Sequence, residues 1–376
     1  MRSYLLVVLL FSALFFYCST ETSNTYTVEV INGVRHVHNV TPLWGNEPEI
    51  GLEFVRKIGG MDETDEQFIF HRLKDLTKDK NGNHYLLDTG NYRIQQFDKD
   101  WNYIRTIGRK GDGYGEFTVL TCIDIYNDEN LYIGDAGGKI HKMSISTGLD
   151  EIIRINSTDN RELFVLSNGN IIISSKEMAK QIGFGQLKPL VVLYEPTGSD
   201  IKRFVEPTLY EDNQTTSFQN YIHITIDRHD NIFVSFRNQN RIEKYSSNGL
   251  LLLSIDRQLN YEVVPEIRES PTVFKQVSTF VSGGIGIDNK DRIWVCTYIK
   301  QPQNPGTGSL DNFRNYSNEL YTSTDLQKLE IFDKDGILLG KIPLSINVLR
   351  FRIFDNSIYF IPWEGVEVYE YRIVEK

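Results

Sequence analysis

Alanine and methionine are scarce: three and four residues in a chain of 376. With the strongest helix formers so few, and with 28 glycines and 12% aromatics dominated by Tyr and Phe, long helices are excluded and strands favoured. A basic excess is missing too. Fifty Asp and Glu against 40 Lys and Arg leave a formal charge of −10, the wrong sign for a surface that neutralises nucleic-acid phosphates, so no nucleic-acid partner is expected. Cysteine is almost absent. Cys122 and Cys296 lie in strand-like apolar runs far apart in the sequence, which reads as two buried free thiols rather than a disulfide.

The opening "MRSYLLVVLLFSALFFYC" has one Arg, an apolar stretch of secretory length and then Cys18. It is short of the roughly 20 apolar residues that a membrane span needs, and the polar "STETSNT" after it carries no basic flank. The pattern reads as an export signal. A Cys directly after the apolar stretch resembles a bacterial lipoprotein signal, which implies lipid attachment at Cys18 and residence in the bacterial cell envelope, periplasmic or surface-exposed. Tyr17 departs from the small residue that signal prefers, so simple secretion stays the alternative.

From residue 70 onward one pattern recurs: an apolar strand, a short turn, a strand such as "NIFV", a polar loop, a strand such as "RIEKY", a turn and a last strand. Six copies can be aligned, and the sixth, "FRIFDNSIYFIPWEGVEVYEYRIV", lacks its fourth strand. Far upstream, "LEFVRKIGG" at residues 52–60 matches a fourth strand, as comparison with "YIRTIGRKG" shows. A strand supplied from the N-terminal side closes a ring and removes the open edge. The fold expected is therefore all-β: a six-bladed β-propeller closed by an N-terminal strand. Ahead of it, "TYTVEVINGVRHVHN" alternates Val with polar residues around Asn32-Gly33, a hairpin signal, and is expected on the side or bottom of the ring. The division expected is a signal over 1–18, a tether and hairpin over 19–51, and the propeller over 52–376.

"NYRIQQFDKDWNYIRTIGRKGDGYGEF" resembles the NHL repeat, and the chain from about residue 25 onward is similar to the six-bladed propeller lipoproteins of Bacteroidetes. The resemblance implies the fold and says little of function. Gly108, Gly111, Gly113 and Gly115 in this stretch are not a phosphate cradle, because "TVLTCIDIY" after them is a strand rather than a helix. They read as the crossover between two blades, with Glu116 and Phe117 as its polar and apolar plugs.

Propellers hold ligands at the mouth of the central channel, where loops converge on one face. The long connections at 174–189, 206–219, 256–280 and 297–326 all fall on one face in this reading. Arg93, Arg237, Arg241, Tyr298 and Trp363 are the candidate ligand residues of that face. For Arg93 and Arg241 the structural role, pairing with a neighbouring acid, is preferred; Arg237, Tyr298 and Trp363 are the better contacts. The function expected is binding of a protein, peptide or glycan without catalysis and without a cofactor. The alternative is a metal-dependent lyase or hydrolase using His71 and His223 as catalytic metal ligands, both placed in inner strands of opposite blades. Catalytic zinc normally takes three protein ligands, and no third inner-strand His exists, so no metal is expected. A Ser nucleophile in a G-x-S-x-G setting is also missing.

Overall fold

A computed structural model describes residues 21–157, 160–175, 188–211, 215–216, 219–264, 279–301 and 323–376. Six four-stranded antiparallel blades follow the repeat. Their inner strands are Leu73–Lys78, Cys122–Tyr126, Asn160–Val165, Ile222–Ile226, Ser282–Ile287 and Val348–Phe354. The second strands, such as His84–Asp88, Ile171–Ser175, Ile232–Phe236 and Ile293–Tyr298, are buried along their whole length, because each blade is covered on both faces by its neighbours. Outer strands are exposed on one side, as in Tyr103–Ile107.

Ile50–Gly59 is the fourth strand of blade six. It runs antiparallel to Glu367–Glu375, with Gly59 opposite Glu367 and Ile50 opposite Glu375. Closure is also visible in the core. Ile58, Tyr359, Ile361 and Val368 of blade six share one apolar cluster with Leu76, Leu86 and Phe97 of blade one. Five further clusters join blades one to two, two to three, three to four, four to five and five to six. The apolar surface lies between blades rather than at the centre, so the channel is left to polar groups.

The turns use one device repeatedly. Asp79, Asp98, Asp227, Asp288 and Asp333 each accept backbone N–H groups two and four residues on, at 2.8–2.9 Å. A carboxylate that closes its own turn has its lone pairs occupied, which accounts for runs such as "DKDG" without any bound ion. At the glycine crossover, Gly108 has φ +81°, and a Cβ there would sit 2.0 Å from the Phe117 ring. Phe117 is buried, Arg109–Lys110 pairs in parallel with Glu116–Phe117, and the Glu116 carboxylate accepts from Gly113 N–H at 3.1 Å.

The hairpin strands are Tyr26–Ile31 and Val34–Asn39, joined through Asn32 (φ 53°) and Gly33 (φ 82°), the paired positive angles of a tight hairpin. Val34–Asn39 pairs in parallel with Leu251–Arg257, the outer strand of blade four. Val28 and Val37 are buried against Leu253, Ile255 and Leu338, and Asn39 bonds to Gly336 O (3.0 Å) and Leu338 N (2.7 Å) of blade five. The segment then follows blade five, with Trp44 N–H on Leu339 O and the Trp44 ring over Gly340. The hairpin is thus a belt on the side of the ring.

Candidate functional site

The channel wall is built from side chains of the inner strands. In blade six, "LRFRIF" alternates Arg with apolar residues, so Phe351 packs between blades while Arg350 and Arg352 turn to the channel. The approach of blade six to blade five is close because Gly286 lacks a Cβ; one added there would lie 2.7 Å from Phe351. Arg352 makes two bonds to Asp75 of blade one, at 2.8 and 2.6 Å. Arg350 bridges Asp75 (2.9 Å) and, across the ring, Glu162 of blade three (2.7 Å).

Glu162 also meets His223 Nδ1 of blade four at 3.0 Å and the backbone N–H of Ile224. Burial alone would raise the Glu162 pKa, but Arg350 and His223 hold it down to about 2. Burial lowers the pKa of His223 in spite of Glu162. A neutral imidazole beside an ionised carboxylate must carry its proton on Nδ1 and donate it. Two Arg and two carboxylates therefore balance in the channel, tying blades six, one, three and four together. Deeper in the channel, Asp124 is pushed up to about 6 by burial, although it accepts Val165 N–H at 2.8 Å.

Above this network, on the face that carries the long connections, lies a cavity of ≈ 70 Å³ lined by Lys74, Tyr221, His223, Arg237, Tyr298, Arg350 and Trp363. The Arg237 guanidinium sits over three aromatic rings, 4.5 Å from the centre of Phe280, 5.0 Å from Tyr221 and 5.6 Å from Trp363. Arg161 stacks on Tyr221 at 4.6 Å. The Lys74 pKa is lowered, first by burial and then by Arg350 and Arg161. Tyr221 is lowered as well: burial would raise it, and Arg161 and Arg237 overcome that.

Of the residues singled out from the sequence, Arg237, Tyr298 and Trp363 line this one cavity. Tyr298 is in its wall rather than on its rim, 1% exposed, with the phenol pushed up to about 12 by burial. Arg93 and Arg241 stand apart. Arg93 pairs with buried Asp88 at 2.8 Å and donates to Ile69 O; Arg241 pairs with Glu243 at 2.8 Å and covers the Phe236 ring. Both are engaged in tying loops to their own blades.

His71 requires a correction. The inner strand of blade one begins at Leu73, two residues later, and His71 is exposed, held outside the channel by Asp88 Oδ1 on its N–H and by Gly90, whose N–H donates to His71 O. It therefore lies outside the inner strand in which the metal-dependent alternative placed it. Among the described residues no cluster of three or more His, Cys, Asp or Glu could hold a metal ion. Cys18 lies outside the described residues, as do 176–187, 265–278 and 302–322 of the long connections.

Lys74, Arg161, Glu162, Tyr221 and Arg350 escaped the sequence reading. Their signal was present: a charged residue inside an otherwise apolar inner strand, as in "RLKDLTK", "RELFV" and "LRFRIF", marks the side turned to the channel.

Residues 62–177 match the sequence profile of a family described as a 6-bladed β-propeller (DUF5128). No curated protein matches in sequence. Among solved structures the chain is similar to an exported-protein candidate from Bacteroides fragilis, with TM-score 0.58 and 12% identity over 91% of this chain and 99% of that one. A member of the DUF4221 family from Bacteroides vulgatus gives TM-score 0.60 at 9% identity, over 88% of this chain and 100% of that one. A gluconolactonase from Xanthomonas campestris gives TM-score 0.51 at 11% identity, over 87% of this chain and 95% of that one. At such identities the likeness is one of fold, and the fold is a six-bladed β-propeller.

Proposed function

We propose that this chain is a binding propeller, exported and held to a membrane by a lipid on Cys18, which receives a protein, peptide or glycan on its loop-rich face. The observation that carries the reading is the cup at the channel mouth. There Arg237 is held by three aromatic rings, and Trp363 is half-buried beside it. Aromatic and Arg side chains in this arrangement are the residues with most to give on binding. The closed ring fixes them in advance, so little ordering entropy opposes association. Among the described residues no helix is long and apolar enough to cross a membrane.

Arrays of defined glycans and peptides, probed with the purified chain and with Trp363→Ala, test the binding reading. Array signals that fall at least tenfold in the variant are expected; silence, or signals indifferent to the substitution, would overturn it. For the anchor, mass spectrometry of the mature N-terminus should find a diacylglyceryl cysteine at Cys18, and an unmodified terminus downstream of it excludes the lipid.

A further inference from the structure

Lys74 and Arg237 carry positive charge that no ion pair among the described residues offsets. Arg350 and Arg352 are matched by Asp75 and Glu162. Among the described residues neither Lys74 nor Arg237 has a carboxylate within ion-pair distance or a side-chain hydrogen bond. A half-buried ammonium without a counter-charge is costly to the fold. Tyr221 is lowered against burial by Arg161 and Arg237, which reports a positive potential in a chain whose overall charge is −10.

The geometry limits what can enter. The cup's ≈ 70 Å³ is room for about five waters at roughly 10–15 Å³ of centre space each, enough for a compact charged group. Arg237 is held among Phe280, Tyr221 and Trp363, so its guanidinium N–H groups are already in position at the cavity. Tyr221 and Trp363 border the same opening and present apolar ring surface next to the cations.

We propose that the cup is an oxyanion site, in which Lys74 and Arg237 donate to a carboxylate or phosphate group carried on a sugar unit and the aromatic rim receives the ring. This rests on the loop-rich face being the binding face. Sugar is favoured over peptide because the donors that the cup offers are side chains around a narrow well bordered by aromatic rings.

Isothermal titration of the full chain with D-glucuronate, D-glucose 6-phosphate and D-glucose at matched ionic strength tests it. One or both acidic sugars should bind at least tenfold more tightly than glucose, and which one binds identifies the anion. Binding should weaken at least tenfold in Lys74→Gln and in Arg237→Gln, survive in Lys74→Arg, and be untouched in Lys80→Gln at the opposite mouth, with circular dichroism confirming the fold of each variant. Absence of binding by both acids, equal binding of glucose, or insensitivity to both Gln variants would overturn the oxyanion site. Equal binding of acetyl-Gly-Gly would overturn the sugar assignment. If array signals depend on Trp363 but not on Lys74 or Arg237, the oxyanion site falls while the binding face stands; if the arrays ignore Trp363 as well, the face falls with it.

Discussion

His141 is 1% exposed and lies between two acids, with Nδ1 2.8 Å from Asp150 and Nε2 3.6 Å from Asp135. Burial would lower its pKa, but the two carboxylates raise it to about 9, and both carboxylates are lowered in return although burial opposes this. A raised histidine binds more protons in the folded than in the unfolded chain. Its contribution is complete below the unfolded value near 6.5 and is lost as pH rises through about 9. The urea midpoint should therefore fall between pH 6.5 and 8.5, and His141→Gln should flatten that slope. An unchanged slope in the variant would place the effect elsewhere. Arg257, 1% exposed, pairs with buried Glu330 at 2.7 Å and also bonds to Ser282, Thr297 and Asn240. Arg257→Leu leaves Glu330 short of its main partner and should cost about 3–5 kcal/mol in chemical unfolding, part of which Arg257→Leu with Glu330→Leu should restore.

At the level of the element, the crossover and the closing strand make different demands. Gly108 combines a positive φ with contact against Phe117, so an alanine there meets both backbone strain and a ring that has nowhere to go. Gly108→Ala should cost about 2 kcal/mol or more, whereas Gly115→Ala, with open space around it, should cost only the strain of its φ of +67°, about 1 kcal/mol. Equal losses would remove the contact argument. Deleting Ile50–Gly59 uncovers the edge of Glu367–Glu375 and parts of the cluster around Ile58 and Val368. Size-exclusion chromatography should then find dimers or aggregates in place of monomer, as an unpaired strand edge recruits another chain. The turn and crossover devices were legible because they are local: Asp, Asn and Gly are chosen by backbone angles that a short stretch sets for itself. His71 was misplaced for the complementary reason. The blade-one strand begins at Leu73 because Asp88 at the end of the second strand and Gly90 just after it hold the chain just ahead of Leu73.

For the whole molecule, each blade shares an apolar cluster with both neighbours and four blades meet in the channel through Asp75, Glu162, His223, Arg350 and Arg352. No blade has a core of its own. Calorimetry should therefore record one cooperative unfolding transition, and a second resolved transition would mean that part of the ring stands alone. The sequence by itself determined the blades, their number and the closure of the ring, since a periodic pattern of burial and turns repeats its information six times and the missing fourth strand could be matched by its own kind. It also marked Arg237, Tyr298 and Trp363. Tertiary structure alone decided that these three meet Lys74, Tyr221 and Arg350 in one cup, that Arg93 and Arg241 are engaged elsewhere, and that Lys74 and Arg237 have no ion-pair partner among the described residues. Charge balance in a channel depends on which of six strands' side chains share the axis, and no single repeat contains that sum.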